Sequence, residues 1–378
     1  MIVSLISIFL INNKTIAVVV PCFNEESQIG KVIETMPDFV DRIVIVNDKS
    51  NDKTADNVIS YINDENYNST SLDIRDKTKV DFIETNYNYA DKVVFKENIK
   101  EKEYFIPSEV VNSNSKQSKI ILINHLQNGG VGAAISSGYK WCKDHDIDCT
   151  AVMAGDGQMD PNELIDICEP VIFENIDYVK GNRLIHRSAW LVIPKTRFFG
   201  NSILSILTKL ASGYWRISDT QTGYTATSKK ALNAIKIYDI YKSYGMPNDM
   251  LVKLNIAYCS IREIEIKPVY NVGEQSKMKL LKVIPTVSFL LINSFFKRLW
   301  VKYLFKDFHP LFLLYHFSFI LFGASVPFLS KIIYLSYNPI RDISEATILA
   351  FMFLMISSVN FFLFAMWMDI QDNERLYK

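Results

Sequence analysis

Short apolar runs alternate with helically spaced ones along most of this chain, and two long unbroken apolar runs follow them. Residues 16–20, 42–46, 120–124 and 151–154 are short, largely apolar stretches of the kind that buried parallel strands show. Segments with helical spacing lie between them. The first begins near Asn24 or Glu25 and carries Ile29, Val32, Ile33 and Met36; a short second ends near Ile62, and a third runs from about 131 to 143. Strands alternating with helices predict a parallel sheet covered by helices. Between 63 and 118 the pattern breaks into a polar, Asn- and Lys-rich stretch. It reads as an insertion in which fragments such as 92–95 are candidate edge strands.

Between Phe308 and Met368 the only Asp, Glu, Lys or Arg residues are Lys331, Arg341, Asp342 and Glu345, all near the middle. The runs 311–335 and 346–368 can each cross a hydrocarbon core of roughly 30 Å at about 1.5 Å per residue, which predicts a helical hairpin. Two core helices of a soluble body are the alternative, and segments apolar all round disfavour it. Lys297, Arg298, Lys302 and Lys306 precede the first run, and Arg375 and Lys378 follow the second. The positive-inside rule therefore places both ends in the cytoplasm. In 280–305, Phe289, Phe296 and Trp300 interleave with Lys282, Lys297 and Arg298, a mixture suited to the membrane interface or to a core-facing helix. Residues 1–11 are apolar but lack a basic lead and a cleavage site, and read as an extension, not a secretion signal.

Composition narrows the classes. The 41 basic and 41 acidic residues argue against a nucleic-acid surface driven by net charge. Five scattered cysteines without metal-ligand spacing read as ordinary thiols of a reducing compartment. A mean hydropathy of +0.08 is high for a chain that is 22% charged, and the hairpin accounts for it.

Candidate chemistry gathers where the strands end, because an open α/β sheet offers its crevice at the carboxyl edge. Pro21, Cys22, Phe23, Asn24, Glu25 and Glu26 follow the first strand; Pro21 stops the ladder, and Glu25 can accept from a ribose or base. The second strand ends at Val46, Asn47 and Asp48, where a carboxylate can recognise a nucleoside or simply cap a turn. After the fourth strand come Gly155, Asp156, Gly157 and Gln158. A carboxylate on a Gly-flanked turn, with an amide two residues later, can offer oxygen ligands to Mg²⁺ or Mn²⁺ bridging a diphosphate. Asp160 and Pro161 also form a helix start, with Asp160 as cap.

These stretches resemble family 2 glycosyltransferases of the GT-A fold, in the polyprenyl-phosphate branch typified by dolichyl-phosphate mannose synthase. The resemblance spans about 15–277 apart from the insertion, and adds Asn128–Ala134 (NGGVGAA), Gly181–Arg183, Asp219–Tyr224 (DTQTGY), Asn248 with Asp249, and Gly273–Lys277 (GEQSK) in order. It implies an α/β, Rossmann-like, mostly parallel sheet with flanking helices, followed by interfacial helices and the two-helix hairpin. It implies that Pro21, Phe23, Glu25, Val46, Asp48, Gly155, Asp156 and Arg183 bind a UDP- or GDP-hexose, and that Asp156 and Gln158 hold Mg²⁺ or Mn²⁺. Arg183, Gln221 and Lys277 are expected at the diphosphate or the acceptor phosphate, and Asp156, Asp219 and Asp249 at the reaction centre. Two departures stand out: Ala154 replaces the first of two acidic residues, and Tyr270, Asn271 and Val272 stand where an arginine is usual just before Gly273.

The expected layout is an extension over 1–14, a catalytic domain over 15–277 with its insertion at 63–118, juxtamembrane helices over 278–306, the hairpin over 307–370 and a cytoplasmic tail over 371–378. The expected reaction is inverting transfer of glucose or mannose to a polyprenyl phosphate at the cytoplasmic face of a multi-pass membrane protein, with lateral hairpin packing allowing a homo-oligomer. Two alternatives stand beside it. A processive polysaccharide synthase ordinarily carries a Gln-x-x-Arg-Trp motif and more spans than this chain has. A catalytically silent membrane adaptor of the same fold takes Ala154 as its best support.

Overall fold

The computed structural model describes residues 14–68, 74, 76–77, 85–112, 117–269, 280–337 and 342–378. Eight strands form one sheet in the order β3-β4-β2-β1-β5-β7-β6-β8: β1 (Ile16–Cys22), β2 (Arg42–Asn47), β3 (Ser108–Val110), β4 (Ile120–His125), β5 (Cys149–Val152), β6 (Tyr178–Asn182), β7 (Thr225–Ser228) and β8 (Ile261–Glu265). The pairings make six strands run in one direction, with β3 and β7 reversed. The sheet is therefore mixed but mostly parallel, as expected for a GT-A fold.

Side chains alternate across β1, so Ala17 and Val19 enter one core layer and Ile16, Val18 and Val20 the other. The first layer is closed by α4 (Val131–Asp144), α7 (Lys229–Ala234) and α8 (Met246–Ile256); the second by α1 (Ile29–Glu34), α2 (Thr54–Ile62) and α5 (Leu164–Phe173). The fourth strand lies two residues earlier than its apolar run suggests. Its end still delivers the Gly155–Gln158 turn to the crevice between β1 and β5, where the strand order changes direction.

Within the polar stretch, residues 92–95 are helical, not an edge strand: they lie inside α3 (Tyr89–Lys100), which buries no residue. The edge strand of this region is β3, antiparallel to β4.

A third cluster joins α6 (Lys195–Ser212), α9 (Leu280–Trp300), α10 (Pro310–Ser336) and α11 (Glu345–Glu374). α9 is one helix ending in a π turn, with one face packed into the body and the other turned outward. Val287, Leu291, Phe295 and Leu299 are buried at four-residue spacing, whereas Phe289, Ile292, Phe296 and Trp300 are exposed. α10 and α11 form the hairpin, clamped by Ser318 and Ser358, each hydroxyl donating to the other's carbonyl at 2.9 Å. Only 28% and 11% of their apolar windows are buried, so they are not core helices of the soluble body. Both are long and apolar enough to cross a membrane.

Where the hairpin meets the soluble body, charge is buried. Arg298 forks Asp369 at 2.7 and 2.8 Å, both side chains being fully buried, and donates to the carbonyls of Ala211 and Leu210. Lys302 donates to Asn255 at 2.9 Å and Asn373 at 2.6 Å. Arg298 and Lys302 are thus not the open juxtamembrane charges that the positive-inside argument counted. The residues after α11 return to the sheet: the Ile261 amide donates to the Leu376 carbonyl at 2.7 Å, and the Lys378 amide to the Ile261 carbonyl at 3.0 Å. Leu376 is buried in the same layer as Ile261.

Candidate active site

The turn after β5 is held tightly to the end of β1. The Gly155 amide donates to the Pro21 carbonyl at 3.3 Å, and a Cβ on Gly155 would stand 3.2 Å from the Cβ of Cys22. Gly157 has φ +72°, a conformation that L side chains rarely adopt, so glycine there lets the chain turn after Asp156. One Asp156 oxygen accepts the Gln158 amide at 3.1 Å. Downstream, Asp160 accepts the Asn162 amide at 3.0 Å ahead of Pro161, as a cap does.

Asp156, Gln158, Arg183 and Gln221 line one cleft of ≈ 190 Å³, together with Glu163 and Lys267. Arg183 owes its orientation to Asp219. The fully buried Asp219 carboxylate accepts from Arg183 Nε at 2.8 Å, Nη2 at 3.0 Å and the Arg183 amide at 3.1 Å. Burial raises the Asp219 carboxyl, but the Arg183 charge and its hydrogen bonds outweigh that and hold it below its ordinary range. Beneath the pair lies Lys180, fully buried, donating to the Thr222 carbonyl. Burial pulls its ammonium down to about 8, against the opposing charges of Asp219 and Glu263.

The other expected site residues sit differently. Phe23 and Glu25 are half-buried at the mouth of β1, in a hexapeptide laced to the next turn: Asn24 donates to Ser50, Glu25 to Thr54 and Glu26 to Asp52 through their backbone amides. Val46 lies wholly within the core. Asp48 is buried and accepts the amides of Gly129 and Gly130 at 2.8 and 2.7 Å and His125 Nδ1 at 2.8 Å, so its carboxylate anchors the NGG turn and the start of α4. Asp249 is likewise buried, accepting the Tyr241 amide at 2.8 Å and Lys253 at 2.6 Å. Lys277 and the GEQSK stretch lie outside the described residues.

Sequence reading missed His125, Lys180 and Glu263. Each is a polar residue inside or at the end of a strand, and only the pairing of strands shows what it meets.

The residues at the turn fit a hard divalent cation. Asp156 offers a carboxylate and Gln158 a side-chain amide, and Mg²⁺ commonly takes one or two protein oxygens and completes its shell with phosphate and water. The Gln158 amide nitrogen is buried without a hydrogen-bond partner among the described residues. The amide can turn its oxygen to the same place. No group of three or more His, Cys, Asp or Glu converges on a metal position among the described residues, so Ala154 leaves Asp156 as the one carboxylate of the turn.

A mostly parallel α/β sheet with a polar crevice at its switch point defines the class of GT-A folds. The glycosyl transferase family 2 profile matches residues 17–88 and 107–236, and the chain belongs to that family. It is a glycosyltransferase. The profile skips 89–106, which is α3 and the turn after it. The chain is 29% identical over 195 residues to the UDP-N-acetylglucosamine–dolichyl-phosphate N-acetylglucosaminyltransferase of Methanococcus voltae, covering 49% of this chain and 77% of that one. It is 25% identical over 270 residues to an uncharacterized protein of Methanocaldococcus jannaschii, covering 71% of this chain and 86% of that one. Among solved structures it is similar to the glucosyl-3-phosphoglycerate synthase of Mycobacterium tuberculosis, with 16% identity and a TM-score of 0.45 over 77% of this chain and 82% of that one.

Proposed function

We propose that this glycosyltransferase moves a hexose from a uridine or guanosine diphosphate sugar to a polyprenyl phosphate at the cytoplasmic membrane face, by a single inverting displacement that needs Mg²⁺ or Mn²⁺. The observation that carries the reading is the joining, in one folded body, of the Asp156 cleft to an apolar hairpin through the buried Arg298–Asp369 pair. Exposed Lys297 and Lys306 beside the first hairpin helix, and Arg375 and Lys378 after the second, support the cytoplasmic orientation. Placing Phe23, Glu25 and Pro21 at the nucleoside, and Lys277 at a phosphate, belongs to the same proposal.

Asp156 and Gln158 would hold the cation. The cation would neutralise charge developing on the departing diphosphate. Arg183, fixed by Asp219, presents its guanidinium to phosphate oxygens in the cleft. A phosphate oxygen of the acceptor attacks the anomeric carbon, and the bond from that carbon to the diphosphate breaks on the opposite face. A phosphate monoester, with a second pKa near ~6, is already ionised at neutral pH, so no side chain has to remove a proton. That fits the inward-facing carboxylates of Asp219 and Asp249. Alignment and charge stabilisation supply the acceleration.

The Methanococcus relative, whose name specifies N-acetylglucosamine, favours an N-acetylhexosamine donor as a second reading. A panel of UDP-glucose, UDP-N-acetylglucosamine and GDP-mannose, each with a polyprenyl phosphate and with water-soluble 3-phosphoglycerate, tests the assignment. Lipid-linked product from one donor is expected. Transfer to 3-phosphoglycerate alone would overturn the lipid acceptor.

A further inference from the structure

Behind the cleft, two segments distant in sequence meet on a single side chain. Glu263, in β8, accepts the Ser218 amide at 2.9 and 3.0 Å, the Asp219 amide at 2.9 Å and the side-chain amide of Asn182 at 2.7 Å. Asn182 precedes Arg183, and its own oxygen accepts the amides of Leu184 at 2.9 Å and Ile185 at 3.3 Å. Glu263 therefore ties together the backbone on both sides of the Arg183–Asp219 fork. Lys180 completes a cluster of two cations and two carboxylates, in which only the Arg183 guanidinium lines the cleft.

Such an arrangement does more than fill space. A guanidinium can be aimed at a phosphate only if its carboxylate partner is itself fixed, and Asp219 is fixed through its own amide by Glu263. β8 in turn is stitched at Ile261 to the chain returning from the hairpin. We infer that Glu263 is a positioning residue: it seats Asp219 so that the Arg183 guanidinium is held toward the phosphate groups of the substrate. The inference rests on the proposed role of Arg183.

Guanidinium rescue of the full chain in detergent, with UDP-glucose or UDP-N-acetylglucosamine and a polyprenyl phosphate, tests it. Arg183→Gly is expected to lose roughly 10²-fold in turnover. Low-millimolar guanidinium should then restore at least about tenfold, because the Asp219 seat survives. In Arg183→Gly with Glu263→Gln the same guanidinium should restore less than about twofold, since the seat no longer holds its shape. Equal rescue in both backgrounds, or none in Arg183→Gly alone, overturns the role of Glu263. Wild-type turnover in Arg183→Gly instead removes the phosphate assignment of Arg183, and this inference with it. Should Glu263→Gln fail to fold, Glu263→Asp keeps the charge and shortens the reach. Its pairing with Arg183→Gly should show weakened rescue at an unchanged melting temperature, and undiminished rescue there contradicts the inference.

Discussion

Lys180 carries the sharpest conflict between burial and charge in the catalytic half. Its pKa falls to about 8, chiefly through burial and in spite of Asp219 and Glu263, whereas in the unfolded chain it keeps its ordinary value of 10.5. Between those values the unfolded chain binds more protons than the folded one, so stability rises with pH through that window and is lowest below about 8. Arg183, the other cation of the cluster, opposes the lysine charge. We expect urea midpoints of the wild type to climb from about pH 8 to pH 10, and Lys180→Met to lose part of that climb. A slope unchanged by the substitution would mean that Lys180 holds its proton in the fold as firmly as in the unfolded chain, and so is not buried. Sequence gave no hint of this, since a lysine inside a four- or five-residue apolar strand reads as an exposed edge position.

At the scale of elements, the chain announced the parts whose burial is two-sided. β1, β2 and β4 are continuous apolar runs because both faces of the sheet are covered, and such runs are legible without any partner. β6, β7 and β8 escaped notice because Lys180, Thr225, Thr227 and Glu263 interrupt them, and Lys180, Thr227 and Glu263 find partners on a neighbouring helix or loops. α3 was unreadable for another reason: it buries nothing, so no apolar stripe marks it. Asp156, Gln158, Arg183 and Gln221 were legible through ordered motifs, while the inward turn of Asp48, Asp219 and Asp249 depends on contacts between elements.

One such contact joins the NGG turn to the 241–245 loop. A Cβ on Gly132 would lie 2.0 Å from the Tyr241 carbonyl oxygen, and the Gly132 amide donates to Lys242 at 3.0 Å. Gly132→Ala should therefore cost about 2–4 kcal/mol by forcing the loop away from α4. Gly200 in α6 meets nothing within 4 Å among the described residues, and Gly200→Ala should stabilise by about 0.5–1 kcal/mol through helix propensity alone. Thermal unfolding of the two variants checks both signs.

For the molecule as a whole, the decisive feature is that the hairpin is not tethered loosely to the sheet. Removing one partner of a buried ion pair leaves an uncompensated charge, so Asp369→Ala should destabilise by about 3–5 kcal/mol. Replacing both partners, as Arg298→Met with Asp369→Leu, should cost clearly less. If the two variants melt alike, the pair is not buried as described. A further consequence is that cutting the hairpin away exposes Arg298 and Lys302 and frees the edge of β8, so a soluble catalytic fragment is expected to lose stability along with its membrane anchor.

Asp156 is proposed to hold the cation and donor from which a sugar passes to a lipid phosphate. The measurement that reaches it most directly is lipid-linked sugar formed by the purified full chain, titrated with Mg²⁺ or Mn²⁺, in wild type and Asp156→Ala. Wild-type product should rise with the cation and vanish on chelation, and Asp156→Ala should fall by roughly 10³-fold at an unchanged melting temperature. Product formed at the wild-type rate by Asp156→Ala, or by the wild type after chelation, would contradict the account.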